Sequence, residues 1–313
     1  MLPAFLTTLL FAVSGVCASR STRLLGGVAA NFWRISVATV LLALWANTLG
    51  TGLSGKALPY FLISGCVGFG LGDLALYQAL PRLGSRLSIL LVHCLAAPMA
   101  ASVEWLWLGT TLTRTQVVCS LTILVGVALA LAPGKHLQLT RRALVLGILF
   151  GVIAACGQGL GAVLSRKAYQ VASVSGQQID GLTAAYQRIL AGWVIAAAGF
   201  TLWKWREPLP AEDLSGQTPR EQAWGWILVN ALAGPTLGVG CFQWALSTSP
   251  TGIVLPIVAI TPIVVIPLAR ILEHEHPRKR SLLGGAIAVA GAVALSGGAK
   301  LALNVLSRIG AIR

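Results

Sequence analysis

Charge is what this chain has least of. Only 10% of its 313 residues are Asp, Glu, Lys or Arg, against about a quarter in an ordinary soluble domain. With 56% hydrophobic residues and a mean hydropathy of +0.80, that deficit excludes a soluble globular fold. It also leaves no length for a large soluble domain beside the membrane part. Acids are the scarcer sign, nine against 23 Lys and Arg, for a net charge of +14. In a soluble protein such an excess points to nucleic acid. Here the basic residues sit in short loops between apolar runs, where they set topology and meet lipid headgroups. The expected partner is therefore the lipid bilayer, and nucleic acid is not expected.

Other absences narrow the chemistry. The six cysteines form no C-x-x-C pair and lie in or beside apolar runs, which reads as small buried residues rather than disulfides or metal ligands. There is no H-E-x-x-H and no phosphate-binding glycine loop. Neither a metalloenzyme nor an ATP-driven pump is expected, and no cofactor or metal is called for. His274 and His276 in "HEHPRKR" are too closely spaced, with one acid between them, to make a metal site. The N-terminal apolar run lacks a preceding basic residue, so it reads as a first membrane helix and not as a signal peptide.

What is present is a series of apolar runs long enough to cross a bilayer, which takes about 20 residues. Ten are expected, over 2–19, 27–49, 57–80, 86–109, 115–133, 143–164, 183–203, 223–247, 252–272 and 281–299. Helices are required because lipid offers the backbone no hydrogen-bond partner, and the alternation of barrel strands is missing. The runs also repeat. "FWRISV" and "YQRILA" place Arg34 and Arg188, 154 residues apart, near the start of corresponding helices. "SR" at 19–20 recurs at 165–166, and Gly68-x-x-x-Gly72 answers Gly234-x-x-x-Gly238. Tyr77-Gln78 answers Phe242-Gln243, and Gly126 answers Gly291. Pro98 and Pro262 occupy matching helices. The expected fold class is all-α, ten transmembrane helices as two five-helix repeats. These are 1–133 and 143–299, joined by a loop at 134–142 and followed by a basic tail at 300–313. An odd number of helices per copy inverts the second copy, the signature of secondary transporters.

These motifs resemble the EamA family of the drug/metabolite transporter superfamily. The likeness rests on the arginine opening the second helix of each half, on "YQAL" and "FQWAL" closing the third, and on a proline-bearing fourth helix leading into a glycine-rich fifth. The family's Gly-Glu turn is only half kept in each copy, as Gly109-Thr110 and His274-Glu275. The resemblance implies a ten-helix metabolite or drug transporter, often an exporter, with both termini in the cytoplasm of a bacterial cell membrane. The loops predict the opposite orientation. Those after helices 1, 3, 5, 7 and 9 carry most of the basic residues, which by the positive-inside rule puts the termini outside.

Polar residues at membrane depth are the candidate site. An arginine at the centre of a span costs about 2.5–3.5 kcal/mol on insertion scales. Arg34 and Arg188 are expected to flank a central cavity and bind an anionic group through the planar guanidinium, or else to snorkel to headgroups. Asp73 is the acid deepest in a span. It would balance an arginine, bind a cationic group or carry a coupling proton, and its repeat mate, Gly238, cannot do the same. His93 and Glu104, eleven residues apart, share a helix face and could relay protons, but Trp105 and Trp107 beside Glu104 read as an interface that would set it apart from such a relay. Gln78, Gln158 and Gln243 are candidate hydrogen-bonders to substrate, with Asn31 and Asn230 as further polar groups. Tyr77, Phe242 and Trp244 could line the cavity. Pro98, Pro256 and Pro262 are candidate hinges, because proline removes a backbone donor. The expected function is alternating-access transport of a small anionic or zwitterionic compound, with protons a candidate coupling ion. A lipid or lipid-linked-sugar flippase uses the same features. An intramembrane enzyme would need a clustered acid–base set that nine acids do not supply.

Overall fold

A computed structural model describes residues 1–131, 140–204, 219–265 and 279–295 of the chain. The loop segments 132–139 and 205–218, the His274/His276 stretch and the 300–313 tail lie outside the described residues. Among the described residues every element is helical and none is a strand. In chain order they are α1 (Leu2–Leu25), α2 (Gly27–Thr48), α3 (Leu58–Gly84), α4 (Leu87–Leu108) and α5 (Arg114–Leu131). Then follow α6 (Arg141–Val174), α7 (Gly181–Lys204), α8 (Gln222–Thr248), α9 (Thr251–Val265) and α10 (Lys279–Leu295). Six of these, α1, α2, α3, α4, α6 and α8, are long and apolar enough to cross a membrane, and α5, α9 and α10 contain shorter apolar helices. Large apolar side chains such as Leu106, Val118 and Val125 point outward, where lipid tails rather than water would meet them.

Local chemistry sets the breaks. Only Gly26, at φ 76°, separates α1 from α2. Gly84, at φ 78°, turns the chain between α3 and α4. Both take a left-handed conformation that a side chain would strain. Thr140 caps α6 by accepting from the Ala143 amide at 3.3 Å. Asp180 caps α7 through the amides of Leu182 and Thr183, at 2.9 and 3.0 Å.

The helices differ from the periodicity in three places. α6 runs ten residues past the expected end, because Ser165, Arg166 and Tyr169 find partners or burial inside the bundle rather than solvent. α9 is interrupted at Ala259–Ile260, just before Pro262, the break expected where proline cannot donate. α3 and α8 each contain a π-helical turn, at Cys66–Gly72 and Leu232–Thr236. Of the candidate hinges, Pro98 lies exposed within continuous α4, Pro256 is buried within the first part of α9, and Pro262 begins its second part.

The helices pair closely: α2 with α7, α5 with α10, α1 with α8 and α3 with α6. Glycine makes the closest approaches possible. A Cβ on Gly157 of α6 would fall 2.6 Å from Gly72 Cα and 2.8 Å from the Val67 carbonyl of α3. A Cβ on Gly126 of α5 would fall 2.6 Å from the Ala288 amide of α10. Backbone cannot retreat from such contacts. Gly157→Val should therefore cost the protein about 1–3 kcal/mol by overpacking, seen as a lower melting temperature in detergent. Gly225→Ala, which meets nothing within 4 Å, should leave the melting temperature nearly unchanged.

Candidate functional site

The deep polar residues are brought together around one cavity of about 140 Å³ between α1, α2, α3, α4, α6, α7 and α8. Arg34, Asp73, His93, Gln158 and Arg188 all line it. Both arginines are buried in the bundle, 6% and 5% exposed, so neither snorkels to the headgroups. Their surroundings differ sharply.

Arg34 has its charge matched, although its Nε, like that of Arg188, is buried without a partner among the described residues. Its Nη2 pairs with Asp73 Oδ2 and also donates to Asn31 Oδ1 at 2.9 Å. Its guanidinium lies over the Tyr77 ring, 4.9 Å from the centroid. Tyr77 is fixed from the second half of the chain, because Asn230 Nδ2 donates to its hydroxyl at 2.9 Å. Asn230 Oδ1 in turn accepts from Ser14 at 2.8 Å. A continuous polar chain thus runs Ser14–Asn230–Tyr77 and stops beneath the Arg34–Asp73 pair.

Arg188 has no carboxylate and no hydrogen-bond partner among the described residues, and its Nε is buried and unpaired. Its guanidinium lies over the Phe69 ring at 5.3 Å. One Nη2 sits close against Gly68 and Gly161, where a side chain would collide with it. With Asp73 spent on Arg34, the cavity keeps one uncompensated positive charge. His93 adds none when it accepts at Nδ1 from Gln158 Nε2 at 3.0 Å, because an amide nitrogen can only donate. The His93 ring stacks on Phe11.

The model for the EamA-like transporter family matches residues 1–132 and again residues 145–297. The chain belongs to that family. A solved structure titled only "Crystal structure of protein" is 17% identical, with a TM-score of 0.70 over 94% of each chain, which shows a shared fold. No curated protein matches the sequence. This EamA-like chain is thus a multi-pass membrane protein of a transporter family.

Three sequence candidates lie elsewhere in the EamA-like fold. Gln78 is engaged by Arg82, which donates to its Oε1 at 2.8 Å. Gln243 is fully buried beside the cavity wall without lining it, and neither of its side-chain polar atoms has a partner among the described residues. Trp244 is half exposed on the outer face of α8. Glu104 is 1% exposed, and its partners are others than His93. It pairs with Arg166 at 3.2 Å and accepts from the amide and hydroxyl of Thr251. Arg166 also donates to the Leu246 carbonyl at 2.6 Å. This clamp ties the C-terminal parts of α4, α6 and α8 to the start of α9. Among the described residues no group of three metal-ligating side chains occurs.

Sequence reading missed Phe11, Ser14, Phe69 and Pro235 as lining residues. Small and aromatic residues in an apolar span carry no signal of which face they take. The pair gives a clean test. Asp73→Asn strands the Arg34 charge in the bundle and should cost about 3–5 kcal/mol. The double change Arg34→Leu, Asp73→Leu removes both charges and should recover much of that loss. Thermal unfolding of matched detergent preparations would show the order.

Proposed function

We propose that this protein is a ten-helix secondary transporter whose two halves, 1–133 and 143–299, are inverted copies that rock about the central cavity. Its cargo is a small anionic or zwitterionic compound. The helix pairing supports a two-fold relation of the halves, since exchanging them leaves α2–α7 and α5–α10 in place and converts α1–α8 into α6–α3, and five helices per copy would make it an inverted one. Gly126 and Gly291, mates in the two copies, both face the α5–α10 contact.

The observation that carries the cargo class is Arg188. A buried guanidinium without a counter-ion is costly in lipid, and a carboxylate or phosphate from the cargo would satisfy it through the bidentate fork. The aromatic rings of Phe11, Phe69, Tyr77 and Phe242 give the rest of the cavity an apolar character suited to the remainder of a small molecule. Asp73 and His93 are the groups in the cavity able to exchange a proton, and so are the proposed carriers of a coupling proton. Export across a bacterial cell membrane is the direction and place that the family suggests.

Cells expressing the intact chain and cells expressing Arg188→Gln, at matched membrane levels, should differ in metabolite distribution between cytosol and medium. One class of anionic or zwitterionic compound should move only with the intact chain. Arg188→Lys should restore part of that movement, because it keeps the charge and loses the fork. Equal distributions in all three would remove Arg188 from the site.

A further inference from the structure

A second opening lies on the other side of Arg188. It is a groove of about 790 Å³ at the end of the bundle where α6 and α8 finish and α3 begins. Lys56, Arg166, Lys167 and Tyr169 line it, together with Ser175 and Ser247. Three features set it apart from an ordinary polar rim.

The first is its charge. Lys56 and Lys167 have no acidic partner among the described residues, and Arg166 gives Nε to Glu104 and Nη1 to the Leu246 carbonyl, leaving Nη2 without a hydrogen bond among the described residues. This end of the bundle is poor in basic residues. Lys56, Arg114, Arg166 and Lys167 are the described ones, the last two within α6, and three of these four meet in the groove. Topology does not need that concentration, because the positive charge that orients the chain is on the other side.

The second is Tyr169. It is 8% exposed and its hydroxyl has no hydrogen-bond partner among the described residues. A buried hydroxyl left unpaired is a cost, and native proteins rarely carry it without a reason. The phenol is packed edge-on against Phe61, 5.2 Å between centroids.

The third is continuity. On α6, Gly161 touches Arg188 and Tyr169 follows eight residues later, a rise of about 12 Å. Between them Ser165 and Ser64 share a hydrogen bond of 3.0 Å, and Ser64 also donates to the Gly161 carbonyl at 2.6 Å. Along α6, the Ser64–Ser165 pair and then Tyr169 thus lie between Gly161, beside Arg188, and the groove.

We propose that this groove is a second anion-binding site on the transport path, which takes the carboxylate or phosphate group of the cargo when it is not on Arg188, and that Tyr169 is the gate between the two. This rests on the reading of Arg188 as the central anion site. In the structure described, the gate is closed. On opening, the phenol hydroxyl would donate to the passing anion and so gain the partner it lacks.

The test uses the full chain in nanodiscs of neutral phosphatidylcholine. Ser247→Cys places a thiol in the groove, and its labelling is followed by mass spectrometry of the modified peptide. The probes are the anionic 2-sulfonatoethyl and the cationic trimethylammonioethyl methanethiosulfonates. The anionic reagent should react about tenfold faster, the size of effect expected from one or two unit charges close by. The preference should vanish when Lys56→Gln and Lys167→Gln are added, and should survive Arg188→Gln. Survival in that variant separates failure of the groove from failure of the central site. A second thiol, Ser64→Cys behind the gate, should label at least severalfold faster with the anionic reagent once Tyr169→Ala is added. Equal rates for the two reagents at position 247, or no gain at position 64, would overturn the proposal. Nanodiscs containing phosphatidylglycerol distinguish the two sources of anion. If anionic lipid selectively shields position 247, the groove holds a lipid headgroup and is not part of the path. If reactivity is unchanged, the site is free for a soluble anion.

Discussion

A guanidinium inside a lipid-embedded bundle must be met by something, and most of this structure follows from how that demand is handled twice. Arg34 is answered within the protein. Asp73 supplies the charge, Asn31 a hydrogen bond and Tyr77 a ring face. Tyr77 is itself held by Asn230 and Ser14, which come from the other half of the chain and from α1. Arg188 receives only the Phe69 ring. The two copies of one motif have therefore reached opposite solutions, one neutral and structural, the other charged and open. The asymmetry is already in the sequence: at the offsets of the repeat, Ala185 stands opposite Asn31, Phe242 opposite Tyr77 and Gly238 opposite Asp73.

The same accounting explains the end of the bundle. Glu104 is buried and Arg166 is largely so, and each is given more than the other's charge. Thr251 donates twice to the carboxylate and the Leu246 carbonyl accepts from the guanidinium. Buried pairs of this kind contribute little net stability and a good deal of geometric definition. Here the definition falls on four helices at once. The clamp lies where α4, α6 and α8 approach their ends, apart from the residues that line the cavity.

Much of the fold was legible because lipid leaves so few options. Apolar runs of span length had to be helices, and their ends were marked by Gly26, Gly84 and Gly109 or by polar loops. Arg34, Asp73, His93, Gln158 and Arg188 were legible as site candidates for the same reason, since polar side chains at that depth need an explanation. Gln78 and Trp244 show the limit. Composition says that a residue lies in a span and not which way it faces, and a helix buried on several sides has little amphipathic contrast to read. Glu104 was obscured by its neighbours. Trp105 and Trp107 suggested an interface, while the partners that bury the carboxylate, Arg166 and Thr251, are 62 and 147 residues away in sequence.

The two π turns were not legible at all, and they bear on everything after them. A π turn is one residue inserted into a helix, and one residue turns the following face by about 100°. In α3 it ends at Gly72, so the direction of Asp73, Leu76, Tyr77 and Leu80 is set by that extra residue. In α8 it ends at Thr236, upstream of Val239 and Phe242. Each helix is therefore two segments out of phase, packed along one axis. The inner halves of α3 and α8 answer to the cavity and the outer halves to their neighbours, and the phase difference lets a single continuous helix do both.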